Sequence, residues 1–343
     1  MSKRALVISG GGSKGAFAVG AIKALAANAP ETTFDIYIGT STGSLIVPFA
    51  AAGALDLLEK MYTTVTTADI VQKDNNFAEQ LLTEDSLFNA DPLAKLVTQN
   101  YNDDFCNKLF ASDKEVYLAT TCLQTGESVF FSTKNPPAGA DADVVKARNP
   151  DTFRRAVMAS ACQPVFMPPI EVEKGMQPFR QYVDGGVRVY AGIQLAIDAG
   201  ATEIYAILLS PAASAPEQVV FNDAFTILEH TIDIFTTDVA VNNLRLPMLF
   251  SQGLRYIADV KAAMLKKGKS QAEIDEFFNI DHTNPFSGHD PVTIYVVRPD
   301  AALGGGPGGL DFVPADMKAM LAKGENSMTT FLANLPPGGS NMV

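Results

Sequence analysis

The chain has 343 residues, a net charge of −12 at neutral pH and a hydrophobic content of 47%. Nucleic-acid binding requires a basic footprint, and docking on anionic lipid by simple electrostatics requires basic residues, so this acidic balance disfavours both. The length allows one large α/β domain or two smaller ones.

The sequence lacks apolar segments long enough for membrane insertion or export. No apolar run reaches the ~18 residues that a membrane-spanning helix needs. The apolar run near the N-terminus covers residues 5–8, and a signal-peptide core needs ~7–15 residues. We therefore expect a cytoplasmic protein without a cleaved signal peptide.

The cysteines and acidic residues do not form the patterns of a metal site. Cys106, Cys122 and Cys162 are widely spaced and form no C-x-x-C pair. This spacing disfavours zinc and predicts reduced, mostly buried thiols. No acidic loop has EF-hand spacing. We expect neither a metal ion nor a cofactor.

The predicted elements open with strand, turn and helix, and this unit then repeats. Residues 6–9 form an apolar run typical of a buried strand, and residues 14–27 follow as a helix. A second strand at 34–39 precedes an apolar helical stretch at 45–52. This alternation is typical of a parallel α/β sheet.

The rest of the chain continues the mixture of helices and strands. Residues 55–110 are mainly helical in pattern, and 133–143 form a Pro/Gly-rich loop. Further strands are predicted at 115–123, 127–132, 180–186, 203–210 and 292–298, and further helices at 150–161, 221–245 and 249–267 and from Pro314 and Glu325. No repeat or composition shift divides the chain. We predict a single domain over 1–343, with helical insertions at about 55–110 and 218–268.

The first turn carries a glycine pattern with two possible meanings. Gly10, Gly12 and Gly15 match G-x-G-x-x-G, the pattern of a dinucleotide-binding loop. Such a site also needs an acidic residue about 20 positions on, at the C-terminal end of the second strand. Asp35 has that separation but begins the strand, on the order of 13 Å from the binding edge. A nicotinamide-dependent oxidoreductase is therefore disfavoured.

The second turn has the pattern of a nucleophile elbow. Gly39-Thr-Ser-Thr-Gly43 is G-x-S-x-G between a predicted strand and a predicted helix. Ser41 would sit in a sharp turn, and side chains two positions before and after it would collide, so both positions favour glycine. The N-terminus of the following helix would stabilise negative charge at the same place.

The two turns lie at the same edge of a parallel sheet and therefore face each other. Backbone N–H groups of Gly11 and Gly12, with that of Thr42, could bind the carbonyl oxygen of a substrate held over Ser41. This arrangement predicts an oxyanion hole in place of a cofactor site.

A nucleophilic serine needs a proton acceptor, and the residues leave two kinds of candidate. Asp184 follows a short apolar strand and precedes two glycines, so its carboxylate could approach another loop closely. His282 and His289 lie in a polar segment and could complete a Ser–Asp–His triad. His230 lies within an apolar helical pattern, which favours a structural role.

Together these motifs resemble the patatin-like phospholipase family. Its pattern is similar to GGGSKG at residues 10–15, GTSTG at 39–43 and Asp-Gly-Gly at 184–186. The segments ASACQPVFMPPI at 159–170 and LDFVPADMKAMLAKG at 310–324 also resemble that family. The resemblance implies a three-layer α/β/α fold with a mainly parallel central sheet, a Ser–Asp dyad without histidine, and hydrolysis of acyl esters in phospholipids or neutral lipids.

The resemblance also implies roles for particular residues. Ser41 would be the nucleophile and Asp184 the base. The remaining candidates are the oxyanion-hole residues Gly10, Gly11, Gly12, Gly15 and Thr42, the elbow glycines Gly39 and Gly43, and the dyad-loop glycines Gly185 and Gly186. The family often places an Asn-x-Pro element after Asp-Gly-Gly, whereas this chain has Tyr190-Ala-Gly there, so the packing around Asp184 differs.

Lys14 has two interpretations. It lies at the start of the first predicted helix, where a positive charge opposes the helix dipole. It either contacts a lipid head group or forms an ion pair that holds the loop.

The sequence thus predicts a serine acyl hydrolase of lipid esters that meets its substrate at a membrane or micelle surface. The apolar helical stretches at 55–110 and 221–265 would form an acyl-chain groove, or would simply pack as core. The alternatives are a low-turnover lipid-binding protein and an esterase that uses His282 or His289.

Overall fold

The computed structural model describes residues 3–73, 83–140, 142–175, 177–213, 220–222, 224–280 and 283–340. The strands are β1 Lys3–Ile8, β2 Ile36–Thr40, β3 Gln72–Lys73, β4 Phe88–Asn89, β5 Glu115–Cys122, β6 Ser128–Ser132, β7 Asp143–Lys146, β8 Tyr182–Asp184, β9 Ala201–Ile207 and β10 Thr293–Val297. The helices are α1 Gly15–Asn28, α2 Thr42–Ala51, α3 Leu55–Thr64, α4 Thr67–Ile70, α5 Asp91–Asn100, α6 Asp103–Ala111, α7 Pro150–Ala161, α8 Ile193–Asp198, α9 Ala224–Lys266, α10 Gln271–Phe277 and α11 Pro314–Ala333.

The centre of the fold is an eight-stranded sheet. Its main order is β10-β9-β1-β2-β5-β6-β7, and the first five of these strands run parallel to their neighbours. β6 pairs antiparallel with β5, and β7 runs parallel to β6. β3 and β4 form a separate two-stranded ribbon.

Helices cover both faces of the sheet because each buried strand sends alternate side chains to opposite sides. In β1, Leu6 and Ile8 belong to one core, and Ala5 and Val7 to the other. The first core also contains buried residues of α1, α2, α7 and α11, and the second contains those of α8. The fold is therefore a three-layer α/β/α structure with a mostly parallel central sheet, which confirms the predicted fold class.

The register of β5 determines which loops meet at the C-terminal edge of the sheet. β2 ends with Thr40 beside Ala119 of β5. β8 runs antiparallel to β5 and ends with Asp184 beside Thr120, the next residue along. The ends of β2 and β8 therefore meet head to head along β5, and the residue that follows Thr40 is Ser41.

Several predicted elements differ from the structure. The two helices predicted at 221–245 and 249–267 are one helix, α9, which contains Pro247. The two helices predicted from Pro314 and Glu325 are also one, α11, because Gly324 continues it as a buried residue. The segment predicted as a loop up to 143 leads directly into β7. The predicted helical region at 55–110 also contains β3 and β4.

In the described part of the chain, none of the helices is both long enough and apolar enough to span a lipid bilayer.

Candidate active site

Ser41 occupies a strained turn between β2 and α2. Its backbone angles are φ 55° and ψ −124°, in a region that non-glycine residues rarely adopt. A Cβ on Gly39 would lie 2.4 Å from the carbonyl carbon of Gly43, and one on Gly43 would lie 2.3 Å from the carbonyl oxygen of Ile8. The turn therefore closes only with glycine at these two positions, as the sequence pattern predicts.

Asp184 is held in place from several directions. Its N–H donates to the carbonyl of Cys162 at 2.8 Å, and its carbonyl accepts from the hydroxyl of Thr121 at 3.1 Å. Its Oδ1 accepts the N–H of Gly186 at 2.7 Å. The Ser41 hydroxyl lies near enough to stabilise the charged carboxylate by hydrogen bonding, and both residues line the same cavity. The structure thus places the two predicted catalytic side chains beside each other.

The surroundings of Asp184 make it a stronger base than an ordinary aspartate. Only 8% of the residue is exposed to solvent. Burial raises the pKa of Asp184 from 3.8 to about 6, because it penalises the charged carboxylate more than the hydrogen bonds from Ser41 and Gly186 stabilise it. Such a carboxylate is ionised at neutral pH and sufficiently basic to accept a proton from a serine hydroxyl.

The glycine loop after β1 lies beside Ser41 and forms part of a cavity wall. Gly10, Gly11, Gly12 and Thr42 all line the cavity that Ser41 faces. A Cβ on Gly10 would come within 3.1 Å of the Ser41 Cβ, so a side chain there would crowd Ser41. Gly15 is not in this wall. It begins α1, where a Cβ would lie 2.6 Å from the hydroxyl of Thr42.

The cavity has a volume of about 730 Å³ and opens to solvent. Asp184, Gly186 and Lys14 are also in its wall, so polar groups converge at the Ser41 end. Most of the remaining wall is aliphatic and aromatic. Its members include Leu45, Phe49, Met61, Val65, Ile70, Leu93, Leu96, Val97, Met167, Leu209, Ile232, Leu303, Leu310 and Phe312. An apolar pocket with few polar groups at one end suits a ligand with an apolar chain.

Of the two histidines in the described part of the chain, one lines the cavity and one lies on the surface. His230 lines the cavity and stacks on Phe221, with ring centroids 4.4 Å apart. His289 is exposed and packs edge-on against Phe250, 5.5 Å between centroids. His282 lies outside the described residues.

Lys14 projects from the end of a short 3-10 helix, Gly12–Lys14, into the cavity wall. Among the residues that the structure describes, no carboxylate lies within ion-pairing distance of its ammonium group. The interpretation in which an ion pair holds the loop therefore has no partner in that part of the chain. Within the same residues, no cluster of three histidine, cysteine or carboxylate side chains could hold a metal ion.

Sequence reasoning missed Ser160, which contacts the turn at Ser41 directly. Its Oγ accepts the N–H of Ser41 at 3.1 Å and donates to the carbonyl of Ala119 at 2.6 Å. It also lies 2.7 Å from the Oγ of Ser44. Ser160 is fully buried at the end of α7, inside the predicted ASACQPVFMPPI segment. That segment was the available signal, but its contact with residue 41 is not visible in the sequence.

A second glycine segment, residues 303–312, was also missed as part of the site. A Cβ on Gly12 would lie 2.2 Å from the carbonyl oxygen of Gly309, so the two glycine turns meet backbone to backbone. The neighbouring Phe312 donates its N–H to the hydroxyl of Thr67 at 2.9 Å. This segment, here called the brace, therefore packs against the glycine loop at Gly12, whereas Ser41 approaches the loop at Gly10.

The region after Asp184, where the expected Asn-x-Pro element is absent, is held by another contact. The N–H of Tyr190 donates to the Oδ1 of Asn243 in α9 at 2.9 Å, and its hydroxyl lies 2.7 Å from that of Ser210. Helix α9 therefore supports the chain beyond Asp184.

The sequence model of the Patatin family, described as patatin-like phospholipase, matches residues 6–197. No curated protein matches the sequence. Among solved structures, the crystal structure of VipD from Legionella pneumophila aligns with a TM-score of 0.46 and 10% sequence identity, over 97% of this chain and 67% of that chain. The family match contains Ser41 and Asp184 and ends before α9.

Proposed function

The chain belongs to the patatin-like phospholipase family, and we propose that it is a serine acyl hydrolase of lipid esters that works through a Ser41–Asp184 dyad. The observation that carries this proposal is the buried carboxylate of Asp184 beside Ser41 at the polar end of an apolar cavity. Membership of the family supports lipid hydrolysis in general. The assignment of the reaction to Ser41 and Asp184 is our proposal.

In the first half of the reaction, Asp184 accepts the proton of the Ser41 hydroxyl while Oγ attacks the ester carbonyl carbon. The carbonyl oxygen becomes an oxyanion, which the N–H groups of Gly11, Gly12 and Thr42 bind. Collapse of this intermediate breaks the ester bond. The leaving alcohol takes the proton from Asp184, and the acyl group remains on Ser41.

In the second half, a water molecule replaces the alcohol. Asp184 accepts a proton from this water as its oxygen attacks the acyl-enzyme carbonyl, and the same N–H groups bind the new oxyanion. The bond to Ser41 Oγ then breaks, and Asp184 returns the proton to that oxygen. The products are a free fatty acid and the regenerated serine.

The cavity supports a phospholipid or a related lipid ester as substrate. Its apolar wall would surround the acyl chain, and α3 and α5 supply Met61, Leu93 and Val97 to that wall. Lys14, at the polar end and without a carboxylate partner among the described residues, would contact the phosphate or carboxylate of a head group. We further propose that the whole chain acts as one domain, because the central sheet takes strands from both ends of the sequence.

A fluorophosphonate probe read by intact mass tests the dyad. We expect the wild type to gain one probe adduct, Ser41→Ala to gain none, and Asp184→Asn to react at least about a hundredfold more slowly, as expected for loss of a general base. Ser210→Ala, which removes another hydroxyl from the same cavity wall, should react like the wild type. Full reactivity of Asp184→Asn would contradict the dyad and indicate a histidine base. An unreactive wild type would favour a lipid-binding protein without turnover.

A further inference from the structure

Most polar side chains in the cavity wall already have a hydrogen-bond partner within the protein. The amide of Asn100, for example, donates to the carbonyl of Leu96 at 2.8 Å. The other wall residues whose side-chain hydroxyls are bonded in this way are Thr42, Tyr62, Tyr101, Tyr190 and Ser210. These bonds hold the groups in the wall and leave them little capacity to bind a ligand.

Gln163 lines the same cavity and is half-buried, but its amide has no hydrogen-bond partner among the described residues. Its Oε1 and Nε2 lie 2.7 and 3.0 Å from the point that a Cβ on Gly308 would occupy, so the amide lies against the brace. Lys14 and His230 also lack partners there. An ammonium group has no acceptor, however, and the imidazole of His230 is stacked on Phe221, so only Gln163 offers an unstacked donor and acceptor together.

The backbone at Gln163 is fixed beside the proposed dyad. The carbonyl of the residue before it accepts the N–H of Asp184 at 2.8 Å, and its own carbonyl accepts the N–H of Met167 at 2.9 Å. Three residues earlier, Ser160 accepts the N–H of Ser41. The segment that holds both reacting residues therefore also positions the free amide.

An acyl chain could not satisfy this amide. Methylene groups neither donate nor accept hydrogen bonds, so a chain laid over Gln163 would displace its water and leave a buried polar group unpaired. Much of the apolar wall comes from α2, α3 and α5, through residues such as Phe49, Met61 and Leu93, whereas Gln163 lies in the loop after α7. The amide is thus placed to contact the alcohol part of the ester.

We propose that Gln163 is a specificity-determining residue that hydrogen-bonds a hydroxyl of the alcohol part of the substrate. This inference rests on the proposed function, since it describes how that site recognises the ester. A glutamine amide has two donor hydrogens and one acceptor oxygen, and a hydroxyl can bond to either. The site therefore favours esters of polyols such as glycerol over esters of simple alkyl alcohols, which would leave the amide unpaired.

Hydrolysis of 1-octanoylglycerol and propyl octanoate by the full chain tests this preference. The two esters share the acyl chain and a three-carbon alcohol and differ by two hydroxyls. Gln163→Met keeps the length of the side chain and removes its hydrogen-bonding groups. We expect this variant to lower kcat/KM for the glycerol ester at least about fivefold and to leave that for the propyl ester within about twofold of the wild type.

Asn100→Leu is the matched control, because it removes another amide from the same wall, one that is already bonded within its own helix. It should change the two rates by the same factor and leave their ratio at the wild-type value. A ratio that Gln163→Met does not alter would overturn the proposal. Equal losses for both esters in that variant would also overturn it, since they would assign Gln163 to packing.

Calorimetric binding of ether analogues to the Ser41→Ala protein separates this proposal from the proposed function. We expect Gln163→Met in that background to weaken binding of 1-O-octylglycerol at least about fivefold and that of octyl propyl ether less than about twofold. Failure of 1-O-octylglycerol to bind, or binding unaffected by Gln163→Met, would overturn the role of Gln163. Discriminating binding without hydrolysis of either ester by the wild type would retain that role and reject the hydrolase. Hydrolysis of both esters with a ratio insensitive to Gln163→Met would retain the hydrolase alone.

Discussion

The backbone N–H of Ser41 donates a hydrogen bond to the Oγ of Ser160, 3.1 Å away. Ser160 is itself fixed, because its hydroxyl donates to the carbonyl of Ala119 in β5. The strained backbone at Ser41 is thus tied to the strand that also sets the position of Asp184 through Thr120. One buried hydroxyl links the turn, the central strand and, through Ser44, the first turn of α2.

Replacing Ser160 by alanine should reduce catalysis without weakening substrate binding. The N–H of Ser41 loses its partner, and a lost buried hydrogen bond costs ~1–3 kcal/mol. We expect kcat for a short soluble ester to fall about ten- to hundredfold while KM stays within about twofold. Ser132→Ala removes another fully buried serine, in β6, and should lower the melting temperature but not kcat. If kcat fell equally in both variants, Ser160 would contribute only to packing, as any buried serine does.

The rate of ester hydrolysis should rise with pH through the titration of Asp184. Burial holds the pKa of this carboxyl at about 6, and only the ionised form accepts a proton from Ser41. For a soluble uncharged ester, kcat/KM should therefore increase from low values at acid pH, pass a midpoint near 6 and level off above it. Stopped assays across the acid range measure the midpoint. A midpoint near 4 would mean that Asp184 ionises as an ordinary exposed aspartate.

Because of the same raised pKa, the ionised Asp184 carboxylate destabilises the folded protein at neutral pH. Because the pKa of Asp184 is higher in the folded state than in the unfolded state, protonation of this carboxyl favours folding. This stabilisation is fully present below the unfolded value of 3.8 and is lost as pH rises through about 6. The difference between the folded and unfolded pKa values corresponds to about 3 kcal/mol in the free energy of unfolding. Asp184→Asn keeps the shape and the acceptor for Gly186 without the charge, so it should unfold at a higher denaturant concentration than the wild type above about pH 7, and near the same concentration at about pH 4.

Chemical denaturation at the two pH values checks this stability prediction. Asp91→Asn is the control, because Asp91 lies exposed at the start of α5, and its replacement should give no such pH-dependent gain. An Asp184→Asn variant less stable than the wild type at neutral pH would show that its hydrogen bonds outweigh its burial.

Gly12 should tolerate no side chain. Its φ is 57°, and a Cβ would lie 2.2 Å from the carbonyl oxygen of Gly309. Gly12→Ala must displace the segment that braces the glycine loop, so we expect the rate of fluorophosphonate reaction to fall about a hundredfold or more, as for the loss of an oxyanion donor. Gly53→Ala is the matched control, because Gly53 has φ 70° but open space around it. We expect Gly53→Ala to lower the melting temperature, because its backbone is strained, and to leave the reaction rate at the wild-type value.

Much of the candidate site could be predicted from short sequence motifs, because neighbouring residues in the chain form it. The turn at Ser41 needs small residues at fixed offsets, and five consecutive residues show that pattern. The alternation of strand and helix likewise predicted the parallel part of the sheet. The direction of β8 could not be read in this way, since pairing with β5 decides it.

The contacts that join distant segments were also outside the reach of sequence patterns. Ser160 meets Ser41 across 119 residues, and Gly309 meets Gly12 across nearly the whole chain. Helix α9 continues through Pro247, which a sequence pattern treats as a break, because that proline is buried within the helix and tertiary packing decides its conformation. The roles of Ser41, Asp184 and the glycine loop remain predictions that the experiments above address.

The position of β1 has a consequence for how the protein is made. This strand lies between β2 and β9, and its glycine loop rests on residues near 309. A nascent chain that has just emerged as far as Asp184 therefore carries both Ser41 and Asp184 but lacks β9, β10 and the segment 303–312. Because such long-range pairings form late, the glycine loop and the turn at Ser41 reach their final arrangement only after residues 201–312 have been made.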